Sequence, residues 1–150
     1  MNAQAFRAQF LADSVLSASP AKLLTMLYDR LALDLTRAEA AQRAGDRSTA
    51  NENLTHAQDI VSELMVTLKT DAWAGAAQLH SLYSYLLGEL MSANISSDPE
   101  RTVACREIVE PLRSAWHEAA AQLAAPVPAT VPAFAGAGAS SGGLGELGVG

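Results

Sequence analysis

The chain has 150 residues, 49% of them hydrophobic and 17% charged, and its 10 Lys plus Arg against 16 Asp plus Glu leave a net charge of −6. That is enough for one domain, and an aromatic content of 5% within an Ala- and Leu-rich sequence argues against an all-β core. The negative balance, with basic residues scattered singly, predicts no nucleic-acid partner.

Cys105 is the only cysteine, so no internal disulfide can form, and no Cys/His cluster has zinc-ligand spacing. The opening stretch, MNAQAFRAQFLADS, lacks a basic flank followed by an apolar run, so no export signal is read there and a cytoplasmic location is expected. Residues 119–145 carry no charge and are long enough to span a bilayer. Pro126, Pro128 and Pro132 interrupt them, and Ala, Gly and Ser fill most of the rest, so no membrane insertion is expected.

Residues 1–18 precede the first helix cap and read as an N-terminal cover segment. Residues 19–125 should form the folded domain. Residues 126–150, rich in Ala, Pro and Gly, read as a disordered tail, because they cannot bury enough apolar surface to offset the entropy of ordering them.

Four helices are predicted. The first opens at Ser19-Pro20, where the hydroxyl caps and proline takes the first helical position, and Gly45 supplies the left-handed residue after it. Its core face carries Leu24, Leu27, Tyr28, Leu31, Leu35 and Ala38. The second starts after Gly45-Asp46 and runs to about Thr70, with Ala50, Leu54, Ala57, Val61, Leu64 and Leu68 spaced alternately by four and three. The third follows Trp73-Ala74-Gly75, carries Ala76, Leu79, Tyr83, Leu86 and Leu90, and ends near Asn94. The fourth begins at Asp98-Pro99-Glu100, with a stripe of Cys105, Ile108, Leu112, Ala115, Ala119 and Leu123. Pro111 falls inside it, and a kink is expected there. Amphipathic helices joined by short connections predict an all-α, antiparallel up-down-up-down four-helix bundle.

Such a bundle could host a di-iron site, but no Glu-x-x-His occurs. Glu52, His56 and Asp59 share one helical face without a matching segment elsewhere and read as a solvated polar face. A histidine phosphotransfer module is the enzyme-like alternative. None of His56, His80 and His117 is followed by the Lys-Gly pair which that family usually sets three and four residues on. Cys105, on the core stripe, reads as an inert buried thiol. No catalytic residue, metal site or cofactor is predicted, and the oligomeric state is not readable.

What remains is a surplus of apolar residues. Met26, Leu33 and Ala40 recur at sevens on the side of the first helix away from its core face, Tyr85, Leu87 and Met91 flank the stripe of the third, and Ile60 is an outlier on the second. Two readings follow, which can hold in turn: residues 1–18, with Phe6, Phe10, Leu11, Val15 and Leu16, fold over these positions, and the positions form a groove for an amphipathic or extended segment of a partner.

Several blocks resemble the flagellar secretion chaperone family, FliS: Ser17-Ala18-Ser19-Pro20 with Met26-Leu27-Tyr28-Asp29; Asn51-Glu52-Asn53-Leu54 with Ala57-Gln58-Asp59-Ile60-Val61; Leu82-Tyr83-Ser84-Tyr85; Ala93-Asn94-Ile95 with Asp98; and Leu112-Arg113-Ser114-Ala115-Trp116. They follow the family's order between about Phe6 and Leu123. The resemblance implies a cytoplasmic, non-enzymatic four-helix bundle. Such a chaperone binds the disordered C-terminal segment of flagellin, blocks premature polymerisation and helps present the subunit to a component of the export gate. Phe6, Phe10, Met26, Leu33, Ile60, Tyr85, Leu87 and Met91 are the candidate flagellin-binding residues; a helical adaptor for another partner is the other binding alternative. The family usually has tyrosine where Phe10 stands and often glycine where Arg30 stands, and Pro111 and the tail lie outside its pattern.

Overall fold

The computed structural model describes residues 20–124, together with Ala3. The expected capping by Ser19, the segment 1–18 apart from Ala3, and the tail 126–150 therefore lie outside the described residues. Four helices follow one another: α1 (Pro20–Arg43), α2 (Arg47–Thr67), α3 (Ala76–Ser96) and α4 (Pro99–Ala124). The fold is the all-α antiparallel four-helix bundle that the sequence predicts, with no strand among the described residues.

The chain reverses at 44–46 and at 97–98 by the same device. After α1, Gly45 adopts φ +76°; its N–H bonds the Gln42 carbonyl and that of Asp46 bonds the Ala41 carbonyl, at 3.1 and 2.8 Å. This double closure satisfies the last carbonyls of the helix through one left-handed residue. Asp46 then caps α2, its carboxylate accepting from the Thr49 N–H at 3.1 Å. After α3, Ser97 takes the left-handed position (φ 53°), with bonds from its own N–H to the Asn94 carbonyl and from Asp98 N–H to the Ala93 carbonyl. Asp98 next accepts from the Glu100 N–H at 2.9 Å, opening α4 behind Pro99. Helix α3 thus outruns its expected end at Asn94 by two residues, because a serine, rather than glycine or asparagine, closes it. Helix α2 stops short of Thr70: the Leu68 N–H still reaches the Leu64 carbonyl, but Leu68 itself is extended.

Tyr28, Leu31, Leu35, Leu54, Val61, Leu86, Leu90 and Val109 are fully buried at the centre. The helical stripes of α1, α2 and α3 supply all of these but Val109 in the expected phase; Leu24, Leu27 and Leu68 are partly buried against the same cluster. The closest backbone approaches are between α1 and α2 and between α2 and α3, where alanines such as Ala38, Ala41, Ala50 and Ala57 are buried.

Helix α4 is different. Its buried residues are Thr102, Cys105 and Val109, and with half-buried Leu112 and Trp116 these continue the three–four rhythm. The expected stripe through Ile108, Ala115 and Leu123 is out of phase: Ile108 is half-buried, Ala115 exposed and Leu123 78% exposed. A core position held by threonine carries no apolar signal. Here the Thr102 hydroxyl donates to Gln42 Oε1 at 2.7 Å, which makes its burial tolerable. The helix runs unbroken through Pro111. Long polar side chains join it to α1: Arg106 Nη1 lies 2.6 Å from Glu39, and Arg113 Nε and His117 Nε2 both meet Asp29 Oδ1, at 2.7 and 2.6 Å.

Candidate functional site

Of the residues expected to bind a partner, Phe6 and Phe10 lie outside the described residues. Leu33, Tyr85 and Met91 are large apolar side chains left 40%, 57% and 47% exposed, while Met26 and Leu87 are half-buried. Ile60 is a correction. It is 6% exposed and belongs to the core, because the α1-facing flank of α2 is buried as well as its central stripe and takes in the position next to Val61. The surplus on α3 divides between two flanks, since Tyr85 and Leu87 are about 200° apart around the axis whereas Leu87 and Met91 share one side.

A concavity of about 200 Å³ opens where the start of α1, the end of α2 and the connection 68–75 meet, lined by Leu24, Leu64, Leu68, Trp73, Leu79, Tyr83 and Trp116 among others. None of the expected binding residues among those described lines it. Both tryptophans of the chain do, and neither lies on a stripe that the helical reading selected; their being the only two was the available signal. Trp73 lies over Gly75, where a Cβ would come within 2.4 Å of its ring, so glycine is needed for that indole to close the wall. At the floor, the Tyr28 and Tyr83 hydroxyls meet at 2.6 Å, and the Trp116 ring stands 6.4 Å from that of Tyr28 at 48°. Burial pushes both phenols above their usual range, and for Tyr83 the bond to Tyr28 adds to the effect, so this pair is a neutral hydrogen bond inside an apolar wall.

At the opposite end, Gln42, Arg47, Ser48, Asn51, Asn94 and Ile95 line a more polar hollow. Asn94 Nδ2 donates to Asn51 Oδ1 at 2.7 Å, and Gln42 Nε2 donates to the Ala93 carbonyl at 3.1 Å. The amides are thereby committed to joining the two turns.

Besides Thr102, the interior holds, among the described residues, two polar residues that periodicity passes over, Thr25, whose hydroxyl donates to the Lys22 carbonyl at 2.7 Å, and Asp34. Asp34 is fully buried between α1 and α2, bonded by Arg30 Nε at 2.9 Å and by His56 Nδ1 at 2.5 Å. Glu52, His56 and Asp59 are all exposed, as predicted for a solvated face, and from that face His56 also reaches across to Asp34 as a bridge between helices. His117 does the same on α4. Desolvation alone would raise the Asp29 carboxyl, but the bonds from His117 and Arg113 outweigh it and hold that group below its usual range. Arg43 and Arg106 lower Glu39 likewise. The Cys105 thiol is pushed up to about 12, by burial first and by the Glu89 carboxylate second, which leaves it unreactive. Among the described residues no group of three or more His, Cys, Asp or Glu could hold a metal, and no helix is long and apolar enough to cross a membrane. What the described residues offer a partner is apolar surface.

The family described as flagellar protein FliS matches residues 2–123 of the chain. The chain belongs to the FliS family. The flagellar secretion chaperone FliS of Bacillus subtilis (strain 168) is 33% identical over 107 residues, covering 71% of this chain and 80% of that protein. Its namesake in Vibrio cholerae serotype O1 is 32% identical over 108 residues, with 71% and 79% covered, and that of Escherichia coli K12 is 29% identical over the same length. FliS proteins are chaperones of flagellar secretion by name. The exposed Leu33, Tyr85 and Met91 and the tryptophan-walled groove thus sit on a chain whose relatives are named flagellar secretion chaperones.

Proposed function

We propose that this FliS-family chain works in the cytoplasm, without enzymatic activity, as the export chaperone of flagellin: it binds the disordered C-terminal segment of that subunit, prevents premature polymerisation and aids delivery to the flagellar export gate. The observation that carries this reading is large apolar side chains exposed on two helices, Leu33 on α1 and Tyr85 and Met91 on α3, in a chain of this family. A flagellin end in the cytosol exposes apolar faces that pack in the filament, and a chaperone covers them by offering complementary apolar surface. Methionines suit a surface that must accept varied side chains. No nucleotide is needed for such binding, so release comes from handover at the export machinery. In this reading residues 1–18, with Phe6 and Phe10, serve as a cover that the flagellin segment displaces, and the tail 126–150 is dispensable.

Calorimetric titration with the C-terminal segment of the organism's own flagellin tests the proposal. Leu33→Asp or Met91→Asp should weaken binding by about an order of magnitude or more, since an unpaired carboxylate must then be desolvated in the complex. Each should alter the stability of the free protein by less than about 1 kcal/mol, as expected for exposed sites. Wild-type affinity in both variants would remove these residues from the binding surface. Absence of any binding by the wild-type chain would reject flagellin as the partner.

A further inference from the structure

We infer that residues 112–120 of α4, beyond Pro111, are a hinged lid over the tryptophan-walled groove, latched shut by the Asp29 carboxylate. The fully packed residues of α4, Thr102, Cys105 and Val109, all precede Pro111. Beyond it, among the described residues, Leu112 and Trp116 alone pack against the core cluster, each partly. Pro111 brings no N–H to the Glu107 carbonyl, so the ladder is weakest at the boundary between the anchored and the lightly anchored half.

The latch is polar and open to water. Arg113 Nε and His117 Nε2 converge on the same oxygen, Asp29 Oδ1. The three side chains are 37%, 45% and 44% exposed, and ion pairs so exposed hold weakly because water competes for both partners. Trp116 is the one α4 residue on the groove wall. Its indole N–H is buried beside the Tyr28 hydroxyl without a hydrogen bond of normal geometry, a buried donor that opening would release to solvent. Swinging residues 112–120 outward would carry this indole off the Tyr28–Tyr83 pair and widen the groove, while Thr102, Cys105 and Val109 keep the first half in place. This is a sub-global opening, drawn from the least packed part of the fold.

Native-state hydrogen exchange on the full, partner-free chain tests the lid whatever its partner proves to be. Amides of 112–120 should exchange together, faster than those of 101–109, and Asp29→Asn should speed the first group roughly three- to tenfold, the range for losing two weak pairs, without changing the second. Pro111→Ala, which restores the missing N–H, should slow the first group. In a Trp73→Phe background, quenching of Trp116 fluorescence by acrylamide should rise with Asp29→Asn and with Arg113→Gln. Equal protection of the two halves, or indifference of residues 112–120 to both latch variants, would overturn the inference.

Discussion

The hydroxyl pair beneath the groove gives a sharp test of the packing described above. Tyr28 and Tyr83 are 0% and 2% exposed, and their hydroxyls are 2.6 Å apart. Removing one hydroxyl leaves the other buried and unpaired, a penalty of about 1–3 kcal/mol, whereas removing both leaves an apolar contact and forfeits only the net value of the bond, about 0.5–1.5 kcal/mol. Tyr28→Phe and Tyr83→Phe should therefore each destabilise the chain, and the double variant should lose no more than the costlier single one. Urea unfolding followed by far-ultraviolet circular dichroism gives the four stabilities and the coupling between the sites. Additive losses in the double variant would refute the reasoning, since they would mean that the two hydroxyls do not satisfy each other.

Leu86→Ala, at a fully buried position, should cost about 2–5 kcal/mol, measurable in the same titration; unchanged stability would place α3 in another phase. Gly45→Ala should cost about 1–2 kcal/mol, because φ is +76° there and a Cβ crowds that conformation although the space around it is empty. Asp29 and Glu39 are held below their ordinary values of 3.8 and 4.5. Their contribution is complete above those values and is lost as pH falls through the lowered ones. Stability measured from about pH 6 to about pH 3 should thus drop at the acid end, less steeply in Asp29→Asn, and an identical slope in that variant would exclude Asp29 as a source.

Helix existence, order and connection were determined by local chemistry. Pro20, Gly45, Asp46, Asp98 and Pro99 mark ends because their backbone preferences act within one turn, whatever surrounds them. The stripes of α1, α2 and α3 are legible because burial there falls on apolar residues at helical spacing. Where burial falls on a polar residue that finds a partner far along the chain, sequence carries no warning: Thr102 with Gln42, and Asp34 with His56, are interior only because another helix completes their hydrogen bonds. Ile60 shows the reverse error, an apolar residue that looks superfluous on its own helix until α1 is seen to cover that flank. The tryptophan groove was invisible for a related reason. Its walls come from α1, α2, the 68–75 connection, α3 and α4, and concavity is a property of how separate elements meet. Sequence by itself thus determined the helices, most of the core and the family; only the tertiary structure decided which polar side chains became interior and where the remaining apolar ones enclose a cavity, because both depend on contacts between residues tens of positions apart.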